Sequence, residues 1–345
     1  MERKTTIKDV AQLAQVSKST VSRYLNDGYV SSEKAERIKK AVKELDFKGN
    51  FFAKRLKTKH CQLIGLVLPR MDSVSVGKLL MGINAVFEPK GYQAIILVSQ
   101  LNGEKELNNI LSLHQQGVDG IIVNSVGLTA AHARLRQEIS TPLVFTGQKR
   151  PGLICLKNDD EAAGRMMGAY LKECGHRRAV FAGVTETDSA VGLERKRGFI
   201  DAFTADNPGA TVNFVETGFD FLGAYNKGAE ICALNPTVIV GATDNIALGV
   251  LRYLHEQNIK VPDEVSVAGF GGYEVGAVVY PALTSIAFDY ELMGMKAAHL
   301  LLDMIHDQNS LTGDTLPIFF LERESVLDLT KPFAPKQPEK FTTLT

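Results

Sequence analysis

From Gln62 to about residue 325 the chain alternates short apolar runs with amphipathic stretches, and this alternation limits its possible folds more than any other feature. Residues 63–68, 93–98, 120–123 and 142–145 are apolar without a polar alternate, the pattern of strands buried on both faces. Helical periodicity intervenes near 76–90, 105–117, 129–138 and 161–174. A second series follows, with strands expected at 178–182, 211–215, 237–240 and 265–268 and helices near 193–204, 222–234, 246–257 and 276–280. Parallel strands need a crossover between them, usually a helix, so the expected architecture is doubly wound α/β in two similar halves. After Ala287 the chain reads helix over 292–307 and strand over 317–321. No internal sequence repeat relates the halves.

The first 50 residues follow a different rule. Ile7, Val10, Ala11 and Ala14 share one face of a short helix, Val16 fills a tight turn, and Ser17 offers an oxygen to cap a second helix. That helix buries Val21 and Leu25 and turns Lys18, Ser19, Ser22 and Arg23 outward. Two helices joined this way make a helix-turn-helix, whose second helix fits a major groove, unless the pair is simply a solvated amphipathic hairpin. Ser31 and Ser32 can cap a third helix carrying Ala35, Ile38, Ala41, Val42 and Leu45, with Phe47 closing the core. Formal net charge is zero over the whole chain, which alone argues against nucleic acid. The distribution of that charge points the other way: residues 1–60 hold 15 Lys and Arg against 7 Asp and Glu, and the other 285 hold 24 against 32. A basic head on an acidic body is the footprint of a DNA-binding module attached to a separate regulatory domain.

The residues Ile7-Lys-Asp-Val-Ala11 and Val16-Ser-Lys-Ser-Thr-Val-Ser-Arg-Tyr-Leu-Asn26 closely resemble the headpiece of the lactose-repressor (LacI/GalR) family, and the likeness continues to about residue 325. The resemblance implies an N-terminal all-α helix-turn-helix headpiece (1–49), a hinge helix or linker (50–60), and an α/β periplasmic-binding-protein-like body of two doubly wound subdomains (61–330). The first subdomain would span 61–160 plus 290–325 and the second 161–289; the Pro-, Lys- and Thr-rich tail 331–345 is expected to be disordered. DNA contacts are implied for Thr6, Ser17, Lys18, Ser19, Thr20, Ser22, Arg23 and Asn26. In the hinge they are implied for Asn50, Ala53 and Leu56, with Leu56 as an apolar wedge in the minor groove. Two positions depart from the family: Gln15 stands at the usual glycine of the turn, and Gly49 replaces a proline before Asn50. Neither removes a base-reading group. The implied assembly is a homodimer on near-palindromic operator DNA.

In open α/β sheets ligands bind beyond the carboxyl ends of the strands. There Arg70 is followed by Asp72 and Ser73 at the start of a helix, a combination suited to an anion, the alternative being a surface salt bridge. Gln100, Asn124 and Gln148 end later strands with amides suited to sugar hydroxyls, and Asp188 follows a strand of the second half. By resemblance Arg195 points into the cleft, and Asp244 is either a cleft carboxylate or the cap of the next helix. Phe221 and Tyr273 either stack on a sugar ring or belong to the core. Many family members carry two acidic residues where Gly271 and Gly272 stand; losing both while holding Arg70 shifts the pocket towards an anionic ligand.

Arg70-Met-Asp-Ser73, Gly241–Leu248 and Gly269–Tyr273 look most like sucrose-operon repressors, and the first two also resemble the trehalose repressor. The expected function is therefore repression of a sugar-utilisation operon, relieved by a sugar phosphate effector such as sucrose 6-phosphate. The alternatives are a trehalose-type repressor sensing trehalose 6-phosphate, or a global catabolite regulator with a phosphocarrier protein as co-repressor. An enzyme is not expected, because no Gly-rich phosphate loop, metal cluster or nucleophile–base pattern occurs. No cofactor is expected. Cys61, Cys155, Cys174 and Cys232 are too scattered for a disulfide framework or metal site. With neither a signal-peptide pattern nor a membrane-length apolar run, the expected location is the cytoplasm, on the nucleoid, with no membrane partner.

Overall fold

The computed structural model describes residues 5–25, 28–47, 60–308 and 314–331. The chain divides between Cys61 and Gln62 into a small N-terminal unit and a larger body.

The N-terminal unit contains α1 (Ile7–Leu13), α2 (Lys18–Leu25) and α3 (Ser32–Glu44). At the head of α1 the Asp9 carboxylate accepts hydrogen bonds from the N–H and hydroxyl of Thr6, at 2.8 and 2.6 Å. The helix ends in a Schellman motif: the Val16 N–H reaches the Ala11 carbonyl and the Gln15 N–H that of Gln12. Gln15 supplies the left-handed residue, at φ 53°, a conformation glycine adopts without steric cost. Ser17 then accepts from the Thr20 N–H at 3.2 Å and opens α2. Val10, Ala11, Ala14, Val21, Ile38, Ala41 and Phe47 are buried together, so the three faces with helical spacing meet in one small core.

The body consists of two six-stranded sheets wrapped by helices. The first contains β1 (Leu63–Leu68), β2 (Gln93–Val98), β3 (Gly120–Asn124), β4 (Leu143–Thr146), β5 (Cys155–Asn158) and β11 (Thr315–Leu316), in the order β2-β1-β3-β4-β5-β11 and all parallel. The second contains β6 (Arg178–Gly183), β7 (Thr211–Glu216), β8 (Val238–Gly241), β9 (Ser266–Gly271), β10 (Thr284–Phe288) and β12 (Ile318–Leu321), in the order β7-β6-β8-β9-β10-β12. In each sheet the chain reverses direction of winding beside its first strand, at β1/β3 and at β6/β8. Those switch points are where a doubly wound sheet opens a crevice.

The helices that matter for the site are α4 (Val74–Phe87), α5 (Gly103–Gln115), α6 (Ala130–Glu138), α7 (Asp160–Glu173), α8 (Arg195–Thr204), α9 (Phe221–Asn226), α10 (Gly228–Ala233), α11 (Asp244–Glu256), α12 (Val275–Val278) and α13 (Tyr290–Ile305). Close approach sets their packing. A Cβ on Gly82 of α4 would stand 2.0 Å from the Glu291 carbonyl oxygen of α13, and one on Gly164 of α7 2.1 Å from that of Arg195 in α8. The same device thus joins one helix pair in each half.

The structure departs from the sequence expectations at three points. The strands β5 and β10 have no signal in the apolar pattern: β5 spans four residues, two of them polar, and β10 begins with Thr284 and Ser285. Both β10 residues are fully buried because Arg323, Ser325 and Asp244 satisfy their polar groups. The expected helix over 222–234 is two helices, α9 and α10, meeting at Lys227. The last strand does not return to the first half: β12 pairs antiparallel with β10, Ser285 facing Leu321, so only α13 and β11 extend the first half.

The Gln15 conformation carries a measurable cost. Gln15→Gly removes the left-handed penalty and is expected to stabilise the N-terminal unit by about 1 kcal/mol. Chemical denaturation followed by far-ultraviolet dichroism checks this; no gain would mean that the glutamine side chain makes compensating contacts.

Candidate DNA-binding helix and ligand cleft

Helix α2 presents five of the side chains named for DNA contact, Lys18, Ser19, Thr20, Ser22 and Arg23. Lys18, Ser19 and Arg23 are exposed, and Thr20 and Ser22 are half-buried. Lys18 with Ser22, and Ser19 with Arg23, lie one turn apart, so they form two adjacent rows on one face. The Ser17 hydroxyl hydrogen-bonds with those of Ser19 and Thr20 at 2.7 and 2.8 Å, and Thr6 is tied to Asp9. Asn26, Asn50, Ala53, Leu56 and residues 332–345 lie outside the described residues.

In the body, the loops after the switch-point strands converge on a cleft of about 800 Å³, part of it continuous with solvent. The loop after β1 contributes Arg70 and Ser73, and the end of β3 and its loop contribute Asn124 and Ser125. Gln148 follows β4. From the second half come Asp188 after β6, Arg195 at the head of α8, Thr243 and Asn245 after β8, and Tyr273 after β9. Seven residues expected there from sequence therefore line one cavity: Arg70, Ser73, Asn124, Gln148, Asp188, Arg195 and Tyr273.

Its floor is an ion pair. The Arg195 guanidinium donates to the Asp160 carboxylate from Nε at 3.1 Å and again from Nη2, and Nη1 donates to the Ala242 carbonyl. Both side chains are 3% exposed, and the guanidinium carbon lies 5.0 and 4.8 Å from the ring centres of Phe270 and Phe288. Burial disfavours the charge, but the Asp160 carboxylate, with Tyr290 and Asp188, favours it, and the net effect is a raised pKa.

Asp188 caps a π-helical turn, Ser189–Glu194, that leads into α8: its Oδ1 accepts from the Val191 N–H at 2.9 Å. The same oxygen accepts from the Gln148 amide at 3.1 Å, a bond that spans the cleft. Burial pushes the Asp188 carboxyl up to about 6, assisted by the charge of Asp160 and opposed by the Val191 amide. Other links between the halves are Lys78 to Glu274 at 3.3 Å, Lys157 to Glu194, and the Arg70 guanidinium 5.8 Å from the centre of the Phe219 ring.

Arg70 is held by its near neighbour. Nε and Nη2 donate to the two oxygens of Asp72 at 2.6 and 2.7 Å, which raises the arginine pKa, and Nη1 makes no hydrogen bond among the described residues. Behind the opposite wall Ser125 donates to Glu106 at 2.7 Å and His132 approaches the same oxygen at 2.9 Å. Because His132 Nδ1 accepts from the Thr129 N–H, its Nε2 carries the proton that Glu106 receives. This buried triad braces the loop 124–129.

Four of the residues expected in the cleft stand outside its lining. Asp72 is engaged by Arg70 and mostly exposed, and Gln100 accepts from Lys105. Phe221 is 48% exposed at the start of α9, whereas Phe219, two residues earlier, does line the cleft. Asp244 is neither a cleft carboxylate nor a helix cap. It is fully buried and accepts from the Tyr273 N–H at 2.7 Å and the Ser285 hydroxyl at 2.6 Å, while Thr243 caps α11. The Gly-Gly step has its own consequence: a Cβ on Gly271 would meet the Tyr273 ring at 2.7 Å, and one on Gly272 would meet Ala287 at 2.4 Å. The tyrosine ring occupies the space that a side chain at position 271 would need. Sequence reasoning missed Asn158, Asp160 and Tyr290, all of which line the cleft. Their signal lay in β5 and β10, the strands without an apolar run.

The raised Asp188 pKa has a signed effect on stability. Between the ordinary value of 3.8 and about 6 the folded state keeps a proton that the unfolded chain has released, so this group's contribution to stability falls as pH rises through that window. Asp188→Asn keeps the acceptor oxygen and removes the titration. It is expected to stabilise the ligand-free protein at pH 7 by roughly 1–3 kcal/mol and to flatten the stability profile between pH 4 and 6. Urea titrations at several pH values measure both effects, and an unchanged profile would refute the raised pKa.

Comparison with known proteins agrees with this arrangement. The family described as bacterial regulatory proteins, lacI family, matches residues 6–50, and the periplasmic binding protein-like domain matches residues 168–326. The sucrose operon repressor of Staphylococcus xylosus is 33% identical over 304 residues, covering 88% of this chain and 94% of that protein. The sucrose operon repressor of Streptococcus mutans serotype c is 31% identical over 325 residues, covering 92% and 98%. The crystal structure of the lac repressor dimer bound to operator and the anti-inducer ONPF superposes with a TM-score of 0.83 at 22% identity, covering 94% of this chain and 100% of that one, a likeness of fold. The chain thus belongs to the lacI family of bacterial regulatory proteins and is a DNA-binding transcriptional regulator, not an enzyme.

Proposed function

We propose that this regulator is a homodimeric repressor of a sugar-utilisation operon of the sucrose type, released from a near-palindromic operator by a phosphorylated disaccharide. The observation that carries the reading is Arg70 at the cleft wall, beside the start of α4. Its Nη1 is without a partner among the described residues, and the Ser73 and Ser75 hydroxyls lie in the same lining. A guanidinium with hydroxyls and the free N–H groups of a helix start is the set of donors that a phosphate accepts. The rest of the lining mixes amides, hydroxyls and aromatic rings, which suit sugar rings, with aliphatic side chains and the charged Asp160, Asp188 and Arg195. The likeness to two sucrose operon repressors supports the choice of sugar.

The charge balance adds a condition. Arg195 is neutralised by Asp160, and Arg70 holds Asp72 through Nε and Nη2, so a phosphate can meet Arg70 Nη1 directly but gains the whole guanidinium fork only by displacing Asp72. Asp72 is 72% exposed and loses little when it turns to water, so the exchange is cheap. Control of DNA binding then follows from differential affinity. The sugar phosphate bridges the two halves, and it shifts the regulator towards the state that it binds more tightly. On the DNA side, Lys18, Ser19 and Arg23 address base edges and phosphates, and the hinge residues Asn50, Ala53 and Leu56 complete the proposed contact.

Calorimetric titration with sucrose 6-phosphate, trehalose 6-phosphate and both free sugars tests the effector. Preference for sucrose 6-phosphate, lost in Arg70→Ala, is the expected result; equal affinity for free and phosphorylated sugar would remove the anion site. Arg23→Ala is expected to weaken operator binding by at least about tenfold. Fluorescence anisotropy on an operator duplex reads this, and an unaltered Kd would exclude α2 as the reading helix.

A further inference from the structure

Two asparagines in the cleft were not singled out by their sequence. Asn158 is the last residue of β5 in the first half, and Asn245 the second residue of α11 in the second half. Both line the cleft and are more than nine-tenths buried, at 5% and 8% exposure. Neither side-chain amide makes a hydrogen bond among the described residues, and the Oδ1 of each is sealed from solvent. Buried amides of this kind are uncommon, because an unmet acceptor forfeits its full solvation. The neighbouring polar groups show the contrast: Gln148, Asp188, Asp160, Arg195 and Asn124 all have partners. Four buried side-chain atoms lack a partner among the described residues, Arg37 Nε, Asn109 Nδ2 and the Oδ1 atoms of Asn158 and Asn245; of these only the last two lie in the cleft, one from each half.

We infer that Asn158 and Asn245 are the specificity-determining contacts for the hydroxyls of the sugar, one on each half of the cleft. A half turn about the terminal side-chain torsion exchanges the amide oxygen and nitrogen, so each group can present an acceptor or a donor to the ligand. A sugar hydroxyl is both donor and acceptor and can satisfy either pole. A ligand that engages both amides links β5 of the first half to α11 of the second, which is a contact between halves that depends on ligand. The cost of holding two unmet amides in the free protein is recovered only in the complex, and ligands without hydroxyls at those positions leave it unrecovered. The inference rests on the reading of the cleft as a sugar site and adds which residues select the sugar.

The test combines two measurements on the full-length protein with Asn158→Leu and Asn245→Leu. Leucine has a similar shape and no polar atom. Thermal unfolding without sugar is expected to be unchanged or raised by about 2–4 °C in each variant, because an unsatisfied group is gone. Calorimetric affinity for whichever of sucrose 6-phosphate or sucrose the wild type binds is expected to fall about tenfold or more. Lowered unfolding temperature in either variant, whatever the affinity, would overturn the inference by making that amide structural. Unchanged affinity would also overturn it. If a leucine variant does not fold, Asn158→Ala and Asn245→Ala carry the affinity test, with the same loss expected. If the wild type binds only the free sugar, the phosphate reading fails while the asparagine test proceeds with that sugar. If it binds neither, the sucrose-type reading fails, and the unfolding temperatures alone decide: no change or a rise in both variants supports unmet amides, and a fall in either refutes them.

Discussion

The second half of the body is built around a single guanidinium. Arg195 heads α8 and reaches Asp160 at the head of α7 and the carbonyl of Ala242 just beyond β8, with Phe270 of β9 and Phe288 of β10 beside it. A buried pair of this kind is not in itself a source of stability, since desolvation offsets much of the Coulomb gain. Its value is positional. Removal of either partner would strand a buried charge at a cost of several kcal/mol, so the ends of these elements have little freedom to move independently. The glycine contacts between α7 and α8 act in the same sense, bringing Gly164 and Gly198 against the partner backbone. The cleft side chains are placed by this frame.

The contacts between the two halves are of another kind. Lys78 and Glu274 form a rim pair with the glutamate almost fully exposed, the sort of bridge worth at most about 1 kcal/mol. Gln148 and Asp188 meet more centrally, but one partner is a carboxyl whose burial already disfavours its charge. A rigid frame within each half and weak, polar contacts between halves is the condition under which a ligand of moderate affinity can shift their equilibrium. In the proposed reading, the unmet amides of Asn158 and Asn245 and the Arg70–Asp72 pair belong to the same logic, because a ligand would complete or replace each interaction.

Legibility from sequence followed the strength of the local signal. The helix-turn-helix could be read because its three apolar faces repeat at helical spacing and because Ser17 offers a cap for the second helix; Gln15, which adopts the left-handed conformation of the turn, carries no such signal in its residue type. The long apolar strands could be read for the same reason. β5 and β10 could not: β5 is short and half polar, and the burial of β10 depends on hydrogen bonds from Arg323, Ser325 and Asp244, which are distant in the chain. In the cleft, position after a strand was enough to find Arg70, Asn124, Gln148 and Asp188. It misplaced Asp244, because a carboxylate at the start of a helix has the same local sequence whether it caps, binds a ligand or ties two strands together.

What the sequence by itself determined is therefore the class of the molecule: a basic helical head, an α/β body in two halves, and loops at the strand ends that carry guanidinium, amide and hydroxyl groups. These follow from periodicity, charge segregation and residue chemistry, all of which are local. Only the tertiary structure decided that Asp160 neutralises Arg195, that Asp72 occupies Arg70, that Tyr273 fills the space beside Gly271, and that the last strand joins the second sheet. Each of these depends on which groups come within a few ångströms across a fold, and pairing energy at that range is invisible in a linear pattern.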